Sequence, residues 1–256
     1  MPHIEEAMFY GWKISLLSMG GNFMLQGSVL YCMNAFMEPL CEAYGWTRAE
    51  LNVSMAVAAL VGQLAMPVAA SLSSRFSLRR LMASGALVGG VATIFQGMTG
   101  NMALFTLLFT IAWSATQICG GVVGNALVSN WFYYFRGRAF GVANAGTSLS
   151  GVVLPLASMV LINHFDVSTA YLVLGLLTCA LAPLSWALVR DTPQAMHMHP
   201  DGRRHDPPAS RKQRAPDTSF TGLLHSPRAF CLGMTFGLAL MVSSSVMSQM
   251  KPRFVD

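Results

Sequence analysis

The chain has 256 residues, 54% of them hydrophobic and only 11% Asp, Glu, Lys or Arg, against the roughly 25% charged content of soluble globular proteins. This excludes an ordinary water-soluble domain, because several charge-free runs exceed the roughly 18–20 apolar residues needed to cross a bilayer core of about 30 Å. The net charge of +5 suits nucleic acid only where basic residues form one continuous face; here they lie between apolar segments, so membrane lipid is the expected partner and nucleic acid is not.

Charges and clusters of Pro, Gly and Asn punctuate the apolar runs. They predict spanning helices at about 14–37, 51–72, 81–98, 102–127, 139–162, 170–189 and 229–250. The first run follows Glu5, Glu6 and Lys13 and is too long and wrongly flanked for a cleaved signal peptide. Pro67 and Pro155 fall inside runs, which membrane helices tolerate where neighbouring helices re-satisfy the backbone. The fold class expected is all-α and polytopic.

Lys13, then Arg75, Arg79 and Arg80, then Arg136 and Arg138, then the basic residues between Arg190 and Arg228 all fall on one side of this threading. The positive-inside rule makes that side, and with it the N-terminus, cytoplasmic. Residues 190–228 are rich in Pro, Arg, His, Asp and Ser without apolar periodicity, as in a solvated linker. The expected organisation is a six-helix bundle over 1–189, a cytoplasmic linker over 190–228 and the first helix of a further bundle over 229–256. That pattern suggests the first half of a twelve-helix transporter, with a C-terminal half missing from the sequence.

The five cysteines include no Cys-x-x-Cys pair and read as buried thiols. No Walker lysine, G-x-S-x-G or H-E-x-x-H occurs, so an enzyme is not expected. His197, His199 and His205 cluster in the linker without a firm fourth ligand, so neither a metal nor a cofactor is expected.

Three stretches carry a family resemblance. The first is Phe9-Tyr10-Gly11-Trp12, followed by Gly27, Tyr31, Phe36, Pro39, Leu40 and Gly45-Trp46-Thr47-Arg48-Ala49. The second is the run from Ala70 through Arg75 to Arg79-Arg80. The third is Trp131-Phe132 with Arg136-Gly137-Arg138-Ala139, then Gly141, Gly146, Gly151 and Pro155. Together they resemble the major facilitator superfamily, and within it the branch of monocarboxylate transporters and oxalate/formate antiporters.

The resemblance implies a secondary transporter of the inner or plasma membrane. It would move a small organic anion, a monocarboxylate or dicarboxylate, by alternating access between two six-helix halves. It also implies that Arg75, Arg79, Arg80, Arg136 and Arg138 belong to cytoplasmic gating loops, and that Gly146, Gly151 and Pro155 form a bend in the fifth helix. In the superfamily an acid in the second stretch ties the two halves together; Ser74 stands in its place here.

Uncharged polar residues inside the spans must face a cavity or another helix, because they are costly in lipid. Gly27, Tyr31 and Asn34 fall at i, i+4 and i+7 on the first helix, and Trp113 and Gln117 share a face with Gly120, Gly121 and Gly124 on the fourth. By analogy with the superfamily, Tyr31, Asn34, Trp113 and Gln117 are the leading solute contacts, with Gln63, Asn144 and Thr147 behind them. Each equally fits an interhelical hydrogen bond worth roughly 0.6–2 kcal/mol. Gly85 with Gly89, Gly120 with Gly124, and Gly146 with Ser150 read as close-packing pairs. A non-transporting membrane protein, acting as an interaction partner, is the alternative; a seven-helix receptor matches the helix count but not the glycine and arginine patterns.

Overall fold

The computed structural model describes residues 9–196 and 198–202, together with residues 227, 231, 233–235, 237, 238 and 242. The chain divides into two compact units, residues 1–206 and 207–256. Among the described residues the first unit holds six long helices: α1 over residues 10–44, α2 Arg48–Arg75, α3 Leu78–Gln96, α4 Met102–Trp131, α5 Arg136–His164 and α6 Val167–Leu188. They match the first six expected spans in order, with ends moved by a few residues.

Helices α2 to α6 are each long and apolar enough to cross a membrane. α1 is also long, but Asn22, Gln26 and Asn34 interrupt its apolar run. Of the expected seventh span, Cys231, Leu238, Val242 and residues 233–235 and 237 are helical; the rest of 229–250 lies outside the described residues.

The helix ends are written in the local sequence. Gly45 adopts the left-handed conformation at φ 69° and closes α1, its N–H donating to the Cys41 carbonyl, a backbone state that a residue without Cβ enters at no steric cost. Thr47 and Glu50 then form a reciprocal capping box at the start of α2: Glu50 N–H donates to Thr47 Oγ1 at 3.2 Å, and Thr47 N–H donates to Glu50 Oε2 at 2.8 Å. The Asn101 side chain accepts from Ala103 and Leu104 N–H and starts α4.

The first three helices and the next three pack as an internal repeat. α1 lies on α5, α4 lies on α2 in the equivalent way, and the two third helices, α3 and α6, lie on each other. Large buried side chains collect at the two ends of the bundle. One group has Phe36 stacked on Tyr171 at 4.2 Å and Trp46 tilted against Phe105; the other surrounds Trp131 and Phe132 with Ile14, Val123 and Leu127.

Between these groups the contacts are made by small residues. A Cβ at Gly146 would overlap the Met19 carbonyl of α1, one at Gly85 would overlap Cys119 of α4, and one at Gly90 would meet the α6 backbone. Helices in lipid associate by such close packing because lipid supplies no hydrophobic drive between them.

The stretch after α6 departs from the expected solvated linker. It is fastened at Arg190, Asp191 and Asp201 to the end of the bundle that carries the arginines. Arg79 N–H, in the first turn of α3, donates to Asp191 Oδ1 at 2.9 Å, and Trp131 Nε1 donates to the Arg190 carbonyl at 2.8 Å. The Asp201 carboxylate accepts from three consecutive backbone N–H groups, those of Tyr133, Tyr134 and Phe135. Two acids thus neutralise the positive ends of α3 and α5. Composition shows the polarity of this stretch; the docking follows from where the two aspartates land. The remainder of 203–226 lies outside the described residues.

Candidate functional site

Two of the six helices carry a π-helical segment near their middle, and they are the equivalent members of the two triplets. α1 widens over Gly27–Tyr31 and α4 over Gln117–Val123. A π segment inserts one residue into an α-helix and is frequent at functional sites. Thr116 Oγ1 donates to the Leu25 carbonyl at 3.2 Å, joining α4 to α1 two residues before the first widened segment begins and one residue before the second does. Asn22, buried on α1, donates through Nδ2 to the Ala143 carbonyl of α5 at 2.9 Å, while its Oδ1 faces Gly120 inside the α4 π segment and has no hydrogen-bond partner.

The extra residue changes which side chains share a face. On a regular helix Gly27, Tyr31 and Asn34 align; here Gly27 is buried against Ser150 and Leu154 of α5, Tyr31 is half-buried and Asn34 is exposed. The Tyr31 ring lies over Gly151 of α5. On α4, Trp113 lies over Gly62 of α2, beside the exposed Gln63, and its Nε1 is a buried donor without a partner. Gln117 is half-buried at the first position of the π segment. Beyond it Gly120 and Gly124 turn toward Asn22 and Ser18 of α1, whereas a Cβ at Gly121 would meet open space.

On α5, Asn144 is exposed and donates to the Phe140 carbonyl of its own helix, and Thr147 is half-buried with its carbonyl accepting from Ser150 Oγ. The structure therefore arranges the candidates as two aromatic rings on two glycines, one pair on α1 and α5 and the other on α4 and α2. Gln26, half-buried immediately before the α1 π segment, belongs with them and was not singled out from the sequence. Its signal was available: a Gln inside an apolar run next to Gly, as at Gln117 in a Gly-rich stretch.

Among the arginines, Arg136 donates from Nε to the Phe132 carbonyl at 2.7 Å and from Nη2 to the Ser129 carbonyl at 3.1 Å, satisfying acceptors at the end of α4. The Arg79 guanidinium lies over the Trp186 ring of α6 at 4.7 Å. Arg75, Arg80 and Arg138 are exposed. α5 is helical without a break through Gly146, Gly151 and Pro155; Gly146 meets the α1 backbone and Gly151 the Tyr31 ring. Among the described residues no group of three or more His, Cys, Asp or Glu is placed to hold a metal ion.

Comparison with known proteins gives the family. A membrane sensor protein, UhpC, of Salmonella typhimurium is 30% identical over 142 residues, covering 54% of this chain and 32% of its own length. A probable hexose phosphate transport protein of Chlamydia muridarum is 23% identical over 198 residues, 76% of this chain and 43% of its own. Monocarboxylate transporter 11 of Mus musculus is 27% identical over 184 residues, 71% of this chain and 40% of its own. The chain thus spans 32–43% of the length of these curated relatives. The family model of the Major Facilitator Superfamily matches residues 14–255; with its apolar helices and repeat-like packing, the chain is a multi-pass membrane protein and belongs to the Major Facilitator Superfamily.

Proposed function

We propose that this chain provides one bundle of a secondary transporter that moves a small organic anion, a monocarboxylate or dicarboxylate, across the inner or plasma membrane by alternating access. The observation that carries this reading is the pair of π segments in α1 and α4, placed equivalently in the two triplets and linked by the Thr116 hydroxyl. Tyr31, Trp113 and Gln117 are the leading contacts, with Asn34, Gln63, Asn144 and Thr147 around them. All are uncharged, so within this bundle an anion would be held by donors such as the unpartnered Trp113 Nε1 rather than by a counter-charge. In this reading the basic end, with Arg75, Arg79, Arg80, Arg136 and Arg138, faces the cytoplasm, and the N-terminus lies on the same side.

The similarity to a protein named a membrane sensor favours a second reading, in which the solute is bound but not moved. The test uses proteoliposomes of the full-length protein with labelled lactate, succinate and glucose 6-phosphate, each assayed for binding and for uptake. Saturable uptake of a carboxylate that falls in Trp113→Ala and Tyr31→Ala, at unchanged membrane abundance, supports the transporter. Binding without uptake supports the sensor, and equal loss of abundance and activity would assign both rings to packing. Reporter fusions after Gly11 and after Asp201 check the orientation, which an external signal at either position overturns.

A further inference from the structure

An apolar groove of about 460 Å³ opens on the outer surface of the bundle between α2, α3 and α4, and neither Trp113 on Gly62 nor Tyr31 on Gly151 lines it. Val61 and Leu72 form its α2 wall, Ser84 and Val88 its α3 wall, and Leu107 and Ile118 lie along α4. Of its hydroxyl residues Ser84 and Thr110 donate to carbonyls of their own helices, which leaves Ser114 in an otherwise largely apolar lining. Val61, Val88 and Leu107 are 42%, 50% and 56% exposed, which is the exposure of side chains that meet lipid.

The length of the groove matches one leaflet. At about 1.5 Å per residue, Val61 lies roughly 16 Å along α2 from Leu72, about half of a hydrocarbon core of about 30 Å. The groove begins at the basic end of the bundle. Arg75 is one turn beyond Leu72 on α2, and Arg80 is one turn before Ser84 on the same stripe of α3. Among the described residues the one ion pair is Arg48 with Glu38, at the opposite end, so Arg75 and Arg80 are exposed cations without a carboxylate partner. An amphiphile with one anionic head and a long apolar tail complements both parts, and the surrounding bilayer supplies it.

We propose that this groove is a binding site for an anionic phospholipid of the adjoining leaflet. One acyl chain lies between α2, α3 and α4, and the phosphate meets Arg75 and Arg80. Basic residues at the membrane surface attract anionic headgroups, and the groove adds a fixed seat for the tail, which separates this site from the general lipid annulus.

The experiment is native mass spectrometry of the full chain in detergent, titrated with dioleoylphosphatidylglycerol or dioleoylphosphatidylcholine. Two arginines lead to a roughly 30-fold preference for the anionic lipid at low salt, with one tightly held molecule per chain. The Arg75→Gln/Arg80→Gln double variant removes the preference while leaving weak retention of both lipids. Ser84→Trp fills the groove from a surface position that no other helix covers and reduces retention of both. Equal retention of the two lipids by the wild-type chain overturns the proposal, as does phosphatidylglycerol binding unchanged in Ser84→Trp, which indicates attraction at the headgroup alone. Displacement by glycerol 1-phosphate at concentrations comparable to the lipid would assign the arginines to a free phosphate. A dimer that Ser84→Trp turns into a monomer would give the groove to a second copy of the chain. Circular dichroism of both variants checks that the helices are intact.

Discussion

Gly62 and Gly151 each lie beneath an aromatic ring, yet the two positions differ in how much room they leave. An alanine Cβ at Gly151 would sit 3.5–3.6 Å from the Tyr31 ring, in ordinary contact, whereas one at Gly62 would sit 2.5 Å from Trp113 Cδ1 and 3.0 Å from Nε1. Replacing an interior helical Gly by Ala gains about 1 kcal/mol in helix propensity. At Gly151 that gain stands, so Gly151→Ala is expected to stabilise the bundle by about 1 kcal/mol. At Gly62 the indole must retreat by about 1 Å to reach normal contact, and overpacking of this kind costs about 1–3 kcal/mol. Gly62→Ala is therefore neutral to destabilising by about 2 kcal/mol. The propensity gain cancels in the comparison, and the difference between the two variants measures the clash alone. Thermal unfolding in detergent gives the order, and the emission of Trp113 reports whether its ring has moved. With the indole removed, Gly62→Ala on a Trp113→Ala background becomes as favourable as Gly151→Ala. Two variants of equal stability on the wild-type background would refute the seating of Trp113 on Gly62.

Gly146→Ala drives a methyl group into the Met19 carbonyl of α1, a backbone atom that cannot turn aside. It is expected to cost at least about 2 kcal/mol, seen as loss of monodisperse protein on gel filtration, and a yield equal to wild type would contradict the close approach of α1 to α5. Asp201→Ala removes the acceptor of three backbone N–H groups. It is expected to cost about 1–2 kcal/mol, with faster hydrogen exchange confined to residues 133–135 and to the stretch after α6. Asp201→Asn, which keeps one oxygen, lies between Asp201→Ala and wild type, and unchanged exchange in both would show that the carboxylate does not hold this end of the bundle.

The spans were legible because lipid leaves few choices. A run long and apolar enough must be helical so that its backbone bonds are internal, and α2 to α6 follow their hydropathy closely. The glycine pairs were equally readable, since Gly85 and Gly146 do meet neighbouring helices where a Cβ would intrude. Two features escaped. A π segment leaves no mark on composition and shifts the register behind it, so the regular spacing that aligned Tyr31 with Asn34 and Trp113 with Gly121 did not survive Gly27–Tyr31 and Gln117–Val123. The docking at Asp191 and Asp201 was hidden because both act on backbone amides distant in sequence, a pairing that no local pattern encodes.

The two π segments also bear on how the gene can change length. In an unbroken spanning helix, losing one codon rotates everything beyond the deletion by about 100° relative to what precedes it, turning buried faces to lipid. A π segment already contains the surplus residue, so losing one codon within 117–123 returns α4 to ordinary α geometry and keeps Phe105 and Trp131, buried at its two ends, in their existing orientations. The same loss between Phe105 and Ala112 has no surplus to draw on. Single-residue gaps among functional relatives of this chain should therefore gather at the two widened turns, and what such a gap would alter is the lateral opening of α1 or α4 at mid-membrane while the helix ends stay anchored.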